Sequence, residues 1–525
     1  MMVACCLAVG CNQAFCCEAS MVARQAAAQA VKVTVQLKAA GQLSSGIVIG
    51  QTGEILTVNH GLPDGVRVVT ITDSDGITYD ARVLTRDVDL DIAMLKVIGK
   101  AVPQNVAVVA TAHAVPEQFV IAAGYPARAS TVVKALVRMG TVERLNANFI
   151  RSTCQLTVGD SGGGVFDLDG RLIGLNQRIG LGRSANIHAT VGRCFEAISL
   201  LKTATTVNPL GVVSSEPAIL KALLQQDGSA TALSRDASAA WKVRALQVLE
   251  SPQGQSAKDK TDVLCHATLW SSEIAVTKLS ELRKHSEVLL RTNDLKTIVG
   301  TVVKKDVRND LAVLELQKPI RLGAVPKVAD GRLFGFVAIG DDPARLAIIG
   351  RVQASSSAAK PVLGCGVAIV DGQLQVDYVS PNSAAAKANL LVGDIVLKLD
   401  DSPVRSFDEF AARLHPLQPG DWIGFEVLRD GQSVTCHVQL GHDPAGKLDR
   451  TNFLDGAVRA ISIRRTGFEK SIQHDGDLRP SEMGSPMLSL NGELLGIHIA
   501  VSSRETVVGI PARTVQALID SALSN

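Results

Sequence analysis

Aromatic side chains are scarce, at 3% of 525 residues, with 12 Phe, 3 Trp and 3 Tyr. Aliphatic and β-branched side chains must fill the cores, with 45 glycines available for turns. An excess of one charge is also lacking. Lys and Arg total 53, Asp and Glu 51, and the net charge is +2. That balance excludes an electrostatic nucleic-acid binder. Mean hydropathy is +0.20. No apolar run reaches the ~18–20 residues of a spanning helix, which excludes a polytopic transporter or channel. No Cys or His cluster has metal-ligand spacing, so neither a metal nor a cofactor is expected. With 20% charged and 46% hydrophobic residues the composition is globular. At ~150 residues per domain the length suggests three or four domains.

Five of the ten cysteines (Cys5, Cys6, Cys11, Cys16 and Cys17) lie in the first 17 residues. Residues 1–19 are apolar and rich in small side chains, like the apolar core of a secretory signal, but without a leading Lys or Arg. Cleavage near Cys17 is one reading. Lipidation at Cys11, in a displaced lipobox Leu7-Ala8-Val9-Gly10-Cys11, is another. A disordered tail or a truncated start are the others. The remaining cysteines (Cys154, Cys194, Cys265, Cys365 and Cys436) are expected to be small buried hydrophobes.

Residues 31–110 read as short strands separated by turns, beginning with an alternating Val31–Leu37. Strands at that spacing indicate an all-β barrel or sandwich. The pattern is then written a second time. Ala81–Val97 is echoed by Gly300–Leu316, Ile55–Leu62 by Ala275–Leu282, and Ser161–Gly174 by Met483–Gly496. Leu62 and Asp91 are 29 residues apart, and Leu282 and Asp310 are 28 apart. The chain therefore holds two copies of one fold. In the second copy 186 residues separate Asp310 from Gly496, against 83 between Asp91 and Gly174. The excess is enough for a small domain, placed at 362–440. There Ser406 is expected to cap a helix Phe407–Leu414, with Glu409 at the capping-box position. Pro209, Pro217 and Gly228 mark a connector with one short helix near Ala218–Gln225.

The first copy contains His60, Asp91 and Ser161 in that order, with the serine inside Gly159-Asp160-Ser161-Gly162-Gly163. A serine hydroxyl becomes a nucleophile near neutral pH when an imidazole takes its proton and a carboxylate fixes the imidazole. The glycines let backbone N–H groups of Gly159 and Ser161 face a developing oxyanion.

Thr57-Val58-Asn59-His60, Asp91-Ile92-Ala93-Met94-Leu95-Lys96 and Gly159-Asp160-Ser161-Gly162-Gly163 resemble the HtrA/Deg family of trypsin-like serine proteases. The inserted segment resembles that family's PDZ domain. The resemblance runs from about residue 25 to the end. It implies a mainly β chain, with two trypsin-like double β-barrel units and an inserted PDZ domain. His60 would be the general base, Asp91 its orienter and Ser161 the nucleophile. Leu363, Gly364, Cys365, Gly366 and Val367 would form the PDZ peptide groove. The family more often has Asn at Asp160 and Pro at Gly164. In the second copy Ser280 stands for His60 and Met483 for Ser161, so that copy would be catalytically inert. Asp310 remains there, and capping of a turn is expected of it. His188 is either a wall of the specificity pocket or a core or surface histidine.

The expected units are a signal-like segment (1–22), a protease domain (23–203), a linker (204–235), a pseudoprotease in two parts (236–355 and 443–525) and the PDZ domain (356–442). The implied function is an extracytoplasmic serine endopeptidase of the periplasm or cell envelope, acting on unfolded or misfolded proteins. Peptide C-termini would bind at the PDZ domain. An oligomer and a lipid anchor at the N-terminus are open. A non-catalytic peptide-binding scaffold is the competing reading, because the second copy lacks the catalytic groups.

Overall fold

The computed structural model describes residues 21–110, 114–127, 134–180, 186–200, 229–249, 263–283, 285–322, 327–340, 345–442 and 460–524. The signal-like stretch 1–19 and the short helix expected at 218–225 lie outside the described residues.

Closure of short strands into barrels removes exposed sheet edges, and the described residues do it four times. The first barrel runs from Thr34–Ala39 to Ile92–Val97, the second from Phe119–Gly124 to Asn186–Thr190, and the third from Ala245–Leu249 to Leu311–Leu316. The fourth starts with Phe336–Ile339 and Arg345–Ala354. It closes with Ser471–His474, Pro486–Leu488, Leu494–Ser503 and Thr506–Pro511. Counted within each barrel, all four pair their strands in the order 1-2-3-6-5-4. A six-stranded open sheet, Cys365–Val370 through Gln432–Gln439, is inserted between the second and third strands of the fourth barrel.

The expected strand Val31–Leu37 is corrected at its start. Residues 21–33 are helical and the first strand is Thr34–Ala39. Ala23, Ala26, Ala27 and Ala30 are buried at helical spacing, and alanine is the best helix former. This face lies against the turn at Gly170, where an added Cβ would stand 3.3 Å from Gln29. Helix continuity therefore overrides the local alternation. A second helix, Ser229–Arg244, crosses the 235/236 division and buries Ala237 and Trp241.

One hydrophobic cluster contains Ile121, Phe166 and Leu175 of the second barrel and Val337, Ile348 and Ile497 of the fourth. The two copies thus share a core. The five described cysteines are free, with four buried and Cys365 partly so. The inserted sheet has its own core around Phe425 and Phe410, whose rings meet edge-on at 6.1 Å. Its helix Phe407–Leu414 is capped by Ser406, whose Oγ accepts the Glu409 amide at 3.2 Å. The Glu409 carboxylate reaches back one residue further than a standard capping box, accepting the Arg405 amide at 2.7 Å.

Phe425 is fully buried in a core of modest size. Phe425→Ala should destabilise the inserted sheet by about 3–5 kcal/mol. Urea unfolding followed by Trp422 fluorescence measures it, and a change below about 1 kcal/mol would contradict this packing.

Candidate active site

The first two barrels meet along an open cleft of ≈ 750 Å³ that His60, Asp91, Gly159 and Ser161 all line. His60 sits in a short 3₁₀ turn, Asn59–Gly61, after the strand Glu54–Thr57. Asp91 precedes the strand Ile92–Val97, which pairs with that one. Its backbone is left-handed, with φ 56°, a conformation that Asp and Asn tolerate better than most side chains. The Asp91 carboxylate then engages His60 twice. Oδ1 accepts the His60 amide at 2.9 Å and Oδ2 meets Nδ1 at 2.8 Å. The side chain of His60 is 44% exposed and that of Asp91 12%. With Nδ1–H donated to the carboxylate, Nε2 is the nitrogen able to accept a proton. Arg86 steadies the loop that follows, donating to the carbonyls of Leu62, Pro63 and Val66.

The serine turn is set by glycines and by Ser45. Gly159 has φ +99°, and a Cβ there would lie 2.4 Å from the Tyr125 carbonyl. Gly162 has φ +86°, and a Cβ would lie 2.1 Å from the Ser45 carbonyl. Side chains are excluded at both places. Ser45, from the first barrel, donates its amide to the Ser161 carbonyl (2.8 Å) and its Oγ to the Gly159 carbonyl (2.8 Å). Among the described residues no protein acceptor takes the Gly159 or Ser161 amide. Asp160 points the other way, fully buried, accepting the Thr157 amide at 2.8 Å. Arg138 Nη1 stands 2.8 Å from its Oδ1, and both side chains are sealed from solvent. Burial pushes the Asp160 carboxyl above its ordinary value, and the Arg138 guanidinium opposes that.

His188 does not line the cleft. It is a core histidine, fully buried, with Nε2 2.7 Å from Ser152 Oγ and Nδ1 2.8 Å from Asn176 Oδ1. The five positions Leu363 to Val367 lie apart from the cleft, at the start of the strand Cys365–Val370. Among the described residues that strand is an edge, pairing only with Gln373–Val379. Leu363 is buried, its carbonyl occupied by the Ala385 amide. Sequence reasoning passed over Ser45 and Arg138. The available signal was an Arg inside the apolar run Leu136-Val137-Arg138-Met139.

The second copy repeats the frame with other side chains. Asp310 is also left-handed, φ 57°, and its Oδ1 accepts the Ser280 amide at 2.8 Å. Where Asp91 holds an imidazole, Asp310 Oδ2 accepts Ser280 Oγ at 2.9 Å and the Lys278 ammonium. The carboxylate is thus the hub of a buried ion pair, a larger role than the turn cap expected of it. Met483 is fully buried. Its carbonyl accepts the His266 amide at 2.8 Å, as the Ser161 carbonyl accepts that of Ser45. Trp422 of the inserted sheet donates its indole N–H to the Ser280 carbonyl at 2.8 Å.

A profile of the trypsin-like peptidase domain matches residues 44–175, and a PDZ domain profile matches residues 361–440. The periplasmic pH-dependent serine endoprotease DegQ of Escherichia coli is 26% identical over 409 residues, 75% of this chain and 79% of DegQ. The chain thus carries a trypsin-like peptidase segment and a PDZ segment and is similar to the Deg serine endoproteases. The periplasmic serine endoprotease DegP of Salmonella typhimurium is 29% identical over 97 residues, 18% of this chain and 20% of DegP. The match thus spans about a fifth of that relative's length. A crystal structure of the serine endoprotease from Yersinia pestis overlaps 80% of this chain and 97% of its own at 15% identity. Its TM-score is 0.31, too loose a superposition to bear on function.

The buried histidines predict a pH response. Burial holds His188 and His498 neutral, down to about 3. The unfolded chain protonates them near the ordinary 6.5, so stability is complete above that pH and is lost as pH falls towards 3. Each contributes on the order of 5 kcal/mol at most. Asp475, raised by burial to about 6, acts oppositely, adding stability as pH falls from 6 towards its ordinary value. Asp160, Glu281 and Asp421, also raised by burial, act in the same direction as Asp475. Removing the buried imidazole should therefore make the change in melting temperature from pH 7 to pH 4 less unfavourable in His188→Gln than in the wild type. Thermal melts across that range check it, and equal slopes would remove His188 as the cause.

Proposed function

We propose that this chain is a serine endopeptidase whose catalytic residues are His60, Asp91 and Ser161. The observation that carries the reading is the two-point contact of Asp91 with His60, set in one cleft with a serine on a glycine-framed turn. His60 Nε2 takes the Ser161 Oγ proton as Oγ attacks the scissile carbonyl. Asp91 keeps the tautomer and stabilises the imidazolium. The Gly159 and Ser161 amides receive the oxyanion, a contribution of about 3–4 kcal/mol to transition-state stability. The imidazolium then protonates the leaving amine, and water, activated the same way, releases the acyl group.

The substrates in this reading are unfolded or misfolded proteins, whose extended segments fit an open cleft. The free edge of Cys365–Val370, with Leu363 to Val367, would add a peptide C-terminus as a further strand. DegP and DegQ are named as periplasmic proteins, and an extracytoplasmic site is proposed for this chain. The second copy is read as non-catalytic. Ser280 stands there in place of the His60 imidazole, and Ser485 faces His498 inside the core at 3.2 Å.

Ser161→Ala should abolish casein proteolysis and fluorophosphonate labelling. Labelling that survives it would refute the assignment. Asp91→Asn should keep the fold and lower kcat by about 10⁴, because the amide favours the wrong imidazole tautomer. Steady-state kinetics on a fluorogenic peptide measures this, and a loss below tenfold would remove Asp91 from its role.

A further inference from the structure

The second copy reaches the catalytic turn of the first. The strand Leu136–Leu145 of the second barrel lies against Arg345–Ala354 of the fourth. Between them stands Asp475, buried. Its Oδ2 accepts the Met139 amide at 2.5 Å and its Oδ1 the Ile348 amide at 2.7 Å. One carboxylate therefore joins two strands from different copies. Met139 follows Arg138, whose guanidinium stands on Asp160, between the two residues that offer amides to the oxyanion. A small cavity of ≈ 20 Å³ beside this junction is lined by Arg138, Arg351, His474, Asp475 and Glu505 among others. It has room for about one water molecule.

A second post stands nearby. Arg504, fully buried, belongs to the turn after the fourth-barrel strand Leu494–Ser503. It donates to the Gly180 carbonyl at 2.8 Å and to Asn186 Oδ1 at 3.1 Å. Gly180 continues directly from Gln177, Arg178 and Ile179, which wall the cleft. Both contacts put a charged side chain of the second copy behind a wall of the first copy's site. Apolar packing alone would not need either, and an isolated buried charge is costly without such partners.

We propose that the second copy is part of the first copy's catalytic apparatus, with Asp475 a positioning residue that holds the Gly159-Asp160-Ser161 turn through the strand carrying Arg138. The proposal rests on the protease reading for its consequence in rate, and on geometry alone for the coupling. Asp475→Asn keeps the shape but leaves only one acceptor for two amides. The strand bearing Arg138 is freed, Asp160 loses a fixed partner, and the oxyanion amides lose their orientation. Substrate binding along the rest of the cleft is untouched.

The test uses the full chain as wild type, Asp475→Asn and Arg138→Met, with two readouts. In Asp475→Asn, hydrogen exchange of amides 157–163 should speed up at least tenfold while the first barrel is unchanged. On a fluorogenic peptide, kcat should fall at least tenfold with KM within twofold. Arg138→Met should do the same. Exchange or kcat of Asp475→Asn within twofold of wild type overturns the proposal. So does loosening of the turn in Arg138→Met alone, which would leave the second copy without a part. If Asp475→Asn fails to fold, Arg504→Gln carries the test, with faster exchange at 177–180 expected and unchanged exchange there overturning it. A wild-type chain whose Ser161 never reacts with a fluorophosphonate sinks the protease reading instead, and exchange then decides the coupling by itself.

Discussion

A single carboxylate gripping a neighbouring turn twice is the constraint on which the arrangement depends. Asp91 binds both the backbone and the ring of His60. The backbone bond fixes where the ring begins, and the ring bond fixes which nitrogen faces the cleft. The left-handed backbone at Asp91 makes both bonds simultaneous. Ser45 does the corresponding work for the serine turn, tying it to the other barrel by amide and hydroxyl. The geometry of this candidate site is thus held by hydrogen bonds between two barrels, each rigid through closure.

The second copy separates scaffold from chemistry. Asp310 keeps the left-handed backbone and the amide contact. Thr277 Oγ1 donates to the His266 carbonyl as Thr57 Oγ1 donates to that of Ser45. Gly484 keeps a positive φ at the position of Gly162, and a Cβ at either would strike the facing carbonyl. What has changed is the group that could move a proton. A Lys and a Ser now neutralise and satisfy the carboxylate. Met483, at the position of Ser161, has a fully buried side chain. The fold is therefore kept while these side chains differ, because turn glycines, cross-barrel hydrogen bonds and core side chains specify it.

Much of this was legible in the chain. Glycine-framed serine, histidine and aspartate at matched spacing are local patterns, and local patterns survive in sequence. The barrels were readable from repeated short strands, and the capped helix Phe407–Leu414 from Ser406 and Glu409. The helix at 21–33 was hidden because Val31–Leu37 alternates like a strand, and only the burial of four alanines reveals its face. Asp475 and Arg504 were illegible for a different reason. Their partners lie across copies, 336 residues away for Asp475 and Met139. No spacing rule encodes a contact made only after two domains pack. His188 was undecided because only burial separates a core imidazole from one lining a pocket.

The inserted PDZ sheet leaves and re-enters the fourth barrel, and Trp422 fastens it to the third. A module hung on one flexible tether samples a sphere, and its local concentration at a target falls as the tether lengthens. A module moored at both ends and pinned at its flank has no such sphere. A chain end seated on the Cys365–Val370 edge would stand at one reach from the cleft, so the length of free chain beyond the seated end would decide which bonds come within range.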